Sequence, residues 1–221
     1  MKIYIAIFLS LIVVTTASGQ FSLLKDAYQG NLGSNQHFIR KLKPGTWIAS
    51  WNSGPGLGQE LWRTDGTPTG TSLIKDLYPG SGWGVGYSSD PYGDFMNGHL
   101  YFAGTENNID FGLYKTNGTT GGTTLVKPQI IPYDITNIDN TLYFGGANTQ
   151  YGIELYKSDG TTAGTVLIKD ILPGNGNGLV TPSKGAVFVK ANGYIFFRAN
   201  DGVHGHMNYG AQMVPRPEHK W

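Results

Sequence analysis

Glu60-Leu61-Trp62-Arg63-Thr64-Asp65-Gly66-Thr67 decides the fold, because it recurs. It returns as Glu154-Leu155-Tyr156-Lys157-Ser158-Asp159-Gly160-Thr161 and, less closely, as Gly112-Leu113-Tyr114-Lys115-Thr116-Asn117-Gly118-Thr119. Each copy is followed, after two residues, by Gly70-Thr71, Gly164-Thr165 or Gly122-Thr123. A short hydrophobic run ending in lysine comes next: LIKDLYPG at 73–80, LVKP at 125–128 and LIKDILPG at 167–174. The same run stands once more, without its preceding loop, as LLKDAYQG at 23–30. Lys25, Lys75, Lys127 and Lys169 are spaced by 50, 52 and 42 residues. Periods of about 40–50 residues belong to propeller blades or solenoid repeats.

A second repeated element precedes the first. It reads Leu100-Tyr101-Phe102, Leu142-Tyr143-Phe144 and Ile195-Phe196-Phe197, with Trp47-Ile48-Ala49 as a divergent copy. Asn97-Gly98 and Asn192-Gly193 stand before two of these runs, and Asn-Gly favours the type I′ hairpin turn because both central residues need positive φ. Upstream stretches at 37–42, 92–96, 133–138 and 185–190 read as further strands. Each unit thus reads as a four-stranded antiparallel meander, and no amphipathic helical period of useful length follows the leader.

The tally of strands implies a ring. Gly205-His206-Met207-Asn208-Tyr209 serves as a degraded third strand of the last unit, and the orphan strand 22–27 as its fourth. The expected fold is all-β: a β-propeller of four-stranded antiparallel blades, four in number, closed by the N-terminal strand. The blades fall at roughly 28–78, 79–127, 128–171 and 172–209 plus 21–27, and closure would remove exposed sheet edges. A fragment of a larger propeller or an open array of sheets is the alternative.

These motifs resemble the ELWxxDGT repeat family of bacterial exported proteins. Residues 60–67 match its namesake pattern fully, 154–161 match with Tyr156 in place of Trp, and 112–119 match in Leu113, Gly118 and Thr119. LIKDLYPG, LIKDILPG and ANDGVHG (199–205) are similar to the same repeat. The resemblance implies a β-propeller-like protein, secreted or on the cell surface, without an established catalytic site to carry over. The tail at 210–221 departs from the repeat.

The domain reading is a signal peptide at 1–19, a repeat domain at 20–209 and the tail at 210–221. Lys2 supplies a positive start, Ile3–Val14 an apolar run, and Ala17 and Gly19 the small residues before a cut at Gln20. Twelve apolar residues are too few to cross a bilayer, which takes about 20, so no membrane span is expected after cleavage. Lys+Arg 16 against Asp+Glu 15 gives a formal charge of +1 and no basic surface for nucleic acid. Cys 0 excludes disulfides, thiolate metal sites and a cysteine nucleophile.

Candidate chemistry is sparse. Asp65, Asn117 and Asp159 sit in loops of constant length; a repeated cation site is one reading and Asp-Gly turn geometry the favoured one. Asp26, Asp76 and Asp170 end their strands and are expected to cap them, and Glu60 and Glu154 are read as structural repeat equivalents too. Trp62, Tyr114 and Tyr156 are expected to pack on blade faces. His204 and His206 lack an assignable third ligand. No catalytic residue, metal site or cofactor is assigned, and no enzymatic activity is expected. The candidate ligand-binding residues are Tyr78, Trp83, Tyr87 and Tyr92, aromatics peculiar to one unit in its longest Gly-rich connection. The expected function is an exported, non-enzymatic module binding extracellular protein or glycan, secreted or at the cell surface, with the periplasm as an alternative location. An extracellular polysaccharide hydrolase or lyase, or a purely structural segment of a larger surface protein, is the competing reading.

Overall fold

The computed structural model describes residues 3–7, 10–15, 20–23, 36–53, 56–86, 93–179 and 188–203. Among these it is all-β, and every sheet is a run of neighbouring strands in chain order. β1 (Ile3–Ile7), β2 (Ser10–Thr15) and β3 (Gln20–Leu23) form a three-stranded sheet. β4 (Gln36–Lys43), β5 (Thr46–Asn52), β6 (Gln59–Thr64) and β7 (Ser72–Lys75) form the first four-stranded sheet. β8 (Asp94–Met96), β9 (His99–Thr105), β10 (Phe111–Thr116) and β11 (Thr124–Pro128) form the second. β12 (Ile131–Ile138), β13 (Thr141–Asn148), β14 (Gly152–Ser158) and β15 (Val166–Lys169) form the third, and β16 (Val189–Ala191) pairs with β17 (Tyr194–Phe196). The repeat thus builds one four-stranded meander per copy of the Glu-Leu-Trp motif.

The hairpins follow from local chemistry. Asn97 and Gly98 have φ of 50° and 74°, and Asn192 and Gly193 have 51° and 82°. The β12–β13 hairpin reaches the same geometry without glycine, through Asp139 (φ 52°) and Asn140 (φ 59°); these side chains tolerate the left-handed region better than most.

The chain divides into two compact units, 1–91 with 104–110 and 116–124, and 92–103 with 111–115 and 125–221. In the first, Ala49, Trp51 and Trp62 form a buried cluster with Leu57 and Leu73 against it. The Trp51 and Trp62 rings stack at 5.3 Å and 25°. In the second unit the strand period of two sends successive side chains of β13 to opposite faces. Leu142 and Phe144 join Met96, Tyr101, Leu113, Val126, Ile135 and Tyr156 in one cluster. Tyr143 joins Leu155, Ile171, Leu179, Phe188, Ile195 and Phe197 in another. The third sheet is therefore covered on both faces, and full burial of one side chain such as Phe144 contributes about 1.5–3 kcal/mol. In the same unit the end of β12 is tied to the start of β8: Asn137 N donates to Asp94 Oδ2 at 2.7 Å and Asn137 Nδ2 to the Phe95 carbonyl at 2.7 Å.

The N-terminal strands differ from expectation. Gln20–Leu23 pairs antiparallel with Ser10–Thr15 of the leader, where the sequence reading had placed 22–27 in the last unit. The leader is rich in β-branched Ile and Val, which favour strands, and a partner a few residues away costs little loop-closure entropy. The rest of the expected closing strand and its partner 205–209 lie outside the described residues, as does the tail.

Within each unit a threonine ties a loop to an outer strand. Thr120 Oγ1 donates to the Ile74 carbonyl at 2.6 Å, and Thr162 Oγ1 to the Val126 carbonyl at 2.7 Å. The equivalent residue in the first loop is Pro68, which has no hydroxyl. Thr162→Val keeps the shape and removes the donor, so it is expected to lower unfolding free energy by about 1 kcal/mol, measured by urea denaturation.

Candidate functional site

The long connections after β7 and β15 are the irregular segments with the most specific geometry, and a buried carboxyl organises each. Glu60 is fully buried. Its Oε2 accepts Leu77 N at 2.9 Å, and its Oε1 accepts Tyr78 N and Gly84 N, each at 3.1 Å. Glu154, also fully buried, does the same: Oε2 accepts Ile171 N at 2.7 Å, and Oε1 accepts Leu172 N at 3.3 Å and Gly178 N at 2.8 Å. A Cβ at Gly84 or Gly178 would strike the carboxyl, which explains the glycine at both places. Burial drives Glu60 upward to about 8, with Asp76 adding to the effect against the three N–H bonds that pull it down. Burial raises Glu154 in the same way.

Backbone pairing fixes the rest of the first connection. Gln59 N donates to the Gly82 carbonyl at 3.1 Å, Gly84 N to the Gln59 carbonyl at 3.0 Å, and Gln59 Nε2 to the Val85 carbonyl at 2.9 Å. On the other side Thr105 N donates to the Gly84 carbonyl at 2.9 Å. Residues 82–85 are therefore a strap held from both edges. In the second unit Leu179 N donates to the Ile153 carbonyl at 2.9 Å and Asn200 N to the Gly178 carbonyl at 2.8 Å.

This geometry sorts the sequence-read residues. Trp83 lies on the strap and is 45% exposed. Tyr78 is half-buried, with its ring in the space that a side chain at Gly82 would take, so it packs the strap rather than facing solvent. Tyr87 and Tyr92 lie outside the described residues, as do Asp26, His204 and His206. Sequence reasoning passed over Ile109, which is 81% exposed on the β9–β10 hairpin of the same unit. Asn107 Oδ1 holds that hairpin by accepting Ile109 N at 3.0 Å and Asp110 N at 2.8 Å. The signal was an aliphatic residue between Asn108 and Asp110, where a turn calls for polar ones.

Of the expected strand caps, Asp76 and Asp170 are described and both are half-buried. One carboxylate oxygen of Asp76 and one of Asp170 are sealed from solvent without a hydrogen-bond partner. Their charges add to the effect of burial in raising Glu60 and Glu154.

The Asp-Gly-Thr loops are self-contained. Asp65 Oδ1 accepts Thr67 N at 2.9 Å and Thr67 Oγ1 at 2.7 Å, and Asp159 binds Thr161 at the same distances. Asn117 makes the equivalent bonds at 3.1 Å and 2.7 Å, so the loop does not need the charge. Bonding to the threonine side chain holds Asp65 and Asp159 below the usual carboxylate range. Among the described residues no group of three His, Cys, Asp or Glu is placed to hold a metal ion. Trp62, Tyr114 and Tyr156 are buried, as a packing role requires. No described helix is long and apolar enough to cross a membrane.

No protein-family model matches the chain, and no curated protein matches it. Among solved structures it is similar to a prolyl endopeptidase, with a TM-score of 0.44 and 14% identity over 75% of this chain. The chain spans 24% of the length of that one. The neighbour is a hydrolase, and this finding overturns the expectation that the chain is not an enzyme. At that TM-score the likeness assigns no reaction, substrate or residue here.

Two outcomes are expected. Glu154→Ala strips three backbone N–H groups of their acceptor and should cost about 3 kcal/mol or more in urea unfolding. Excess calcium and chelator should give the same Tm, because the loop oxygens already have N–H and O–H donors.

Proposed function

We propose that the chain is an exported protein of the ELWxxDGT type that binds extracellular protein or glycan through the strap at 82–85. The observation that carries this reading is the difference between the two straps. Asn177 occupies the place of Trp83 in the second, and its Oδ1 accepts Ile153 N at 3.1 Å. The second strap has a small polar residue there, and the first has an indole with 45% of its surface exposed. Tryptophan on a rigid support is a strong anchor for a partner, since little side-chain entropy is lost on binding. Ile109 is a second exposed apolar side chain in the same unit.

The finer architecture belongs to the same proposal. Four blades would close as a ring in the exported chain, secreted or held at the cell surface. Removal of residues 1–19 takes away β2, the partner of β3, and frees Gln20–Leu23 to complete the last unit beside β16 and β17. Three complete sheets followed by a two-stranded one support this arrangement.

The test is a glycan and extracellular-protein array probed with the mature chain, then repeated with Trp83→Ala. Affinity for the array hit should fall by about tenfold or more while Tm stays the same. Unchanged affinity would remove Trp83 from the binding surface.

A further inference from the structure

The chain carries five Asn-Gly pairs, at 97–98, 117–118, 175–176, 177–178 and 192–193. Asparagine is a thermolabile residue, and a following glycine, having no Cβ, lets its nitrogen reach the side-chain amide. The fold treats the five pairs differently. Gly118 N donates to Thr116 Oγ1 at 3.0 Å, while Asn117 Oδ1 accepts Thr119 N at 3.1 Å and Thr119 Oγ1 at 2.7 Å. Gly118 is also buried, and a Cβ there would meet Leu42. Gly178 N donates to Glu154 Oε1 at 2.8 Å, and Asn177 Oδ1 accepts Ile153 N at 3.1 Å. In both pairs the nitrogen and the side chain are committed to other partners. Asn97-Gly98 and Asn192-Gly193 are the tips of the β8–β9 and β16–β17 hairpins. All four residues are exposed, and nothing stands within 4 Å of a Cβ built on either glycine. His99 Nδ1 meets the backbone carbonyl of Asn97 at 3.0 Å and not its side chain. Asn175-Gly176 is half-covered: Asn175 is exposed, but a Cβ on Gly176 would meet Leu172.

We propose that Asn97 and Asn192 are sites of spontaneous deamidation, and that the loop and strap bonds shield Asn117 and Asn177 from it. In this reaction the glycine nitrogen gives its proton to solvent base and bonds to the asparagine Cγ. The Cγ–Nδ2 bond breaks, and the side-chain nitrogen leaves as ammonia. Water then opens the succinimide ring at one of its two carbonyls. Opening at Cγ leaves aspartate. Opening at the backbone carbonyl leaves isoaspartate, whose chain runs through Cβ and Cγ. At Gly118 and Gly178 a hydrogen bond on the attacking nitrogen has to break first, so local opening limits the rate there. At the hairpin tips no such bond stands in the way. Isoaspartate lengthens a turn whose two central residues set the strand register. At 192 it would pull Ala191 out of line with Tyr194 and Lys190 out of line with Ile195, and Ile195 belongs to a buried cluster with Phe197. Each event also replaces a neutral amide with a carboxylate, against a formal charge of only +1. The proposal is independent of any ligand at Trp83.

The experiment ages the full chain at mildly alkaline pH, well below its Tm, beside a second sample unfolded in urea. Peptide mapping by mass spectrometry, with chromatography that separates aspartate from isoaspartate, follows each pair over time. In urea all five pairs should react at comparable rates, because the following residue is glycine in each. In the folded chain Asn97 and Asn192 should convert about tenfold or more faster than Asn117 and Asn177, with Asn175 between them. Thr116→Val removes the acceptor of Gly118 N and should speed conversion at Asn117 while leaving Asn177 shielded. Three results would each overturn the proposal: Asn97 and Asn192 intact in the folded chain while they react in urea, Asn117 and Asn177 keeping pace with them, or a rate at Asn117 unmoved by Thr116→Val. If Thr116→Val does not fold, the folded and unfolded wild-type rates decide. Ligand affinity is not read, so this result is separate from the array test.

Discussion

A carboxyl buried at the start of a third strand, accepting three backbone N–H groups from a single connection, is what the irregular half of this protein depends on. An irregular segment that runs over a packed sheet carries amide groups no ladder can satisfy, and leaving them bare is costly. Glu60 and Glu154 supply the missing acceptors. The second sheet shows the converse. Its glutamate position is Gly112, and its connection is short, passing from Pro128 directly into β12 with Ile130 N donating to the Phe111 carbonyl at 3.2 Å. Without a long strap there are no stranded amides, and the glutamate is dispensable.

The Asp-Gly-Thr loop solves a different problem by the same means. Each loop satisfies itself through Asp or Asn oxygen and threonine hydroxyls, for example Thr64 Oγ1 with Thr71 Oγ1 at 2.7 Å and Ser158 Oγ with Thr165 Oγ1 at 2.7 Å. A loop that completes its own bonds arrives preformed. The one following threonine is then free to tie it to an outer strand, as Thr120 and Thr162 do.

Much of this was legible in the sequence. Repeat periodicity located the strands of the three full sheets, and Asn-Gly located two hairpin turns. The Asp139-Asn140 turn escaped because it lacks glycine, although both residues adopt positive φ. The pairing of β3 escaped because a leader expected to be removed had no place in the tally. Of the four aromatics read as a binding surface, Trp83 alone is described as substantially exposed; Tyr78 packs against its own connection. The glutamates were recognised as structural, but a motif cannot show which amides a carboxyl will meet, since Gly84 and Gly178 lie 24 residues along the chain from Glu60 and Glu154. Nor can it show that one oxygen of Asp76 is sealed from solvent. Enclosure comes from the strap, and the strap exists only once the sheet is assembled.

The outermost strands carry a consequence for colloidal behaviour. β7 and β15 are four residues each and β11 is five, ending at Pro128. Each bears a lysine near its end: Lys75, Lys169 and Lys127. A formal charge of +1 over 221 residues gives almost no mutual repulsion between molecules. Apolar side chains such as Leu125, at 45% exposure, and Val166, at 39%, sit on these strands. Short length, a proline and a single buried-averse ammonium per edge are the features that keep one molecule from adding its strands to the next. Protection of these three strands against edge-to-edge pairing accordingly comes from length, proline and lysine and not from the molecule's overall charge.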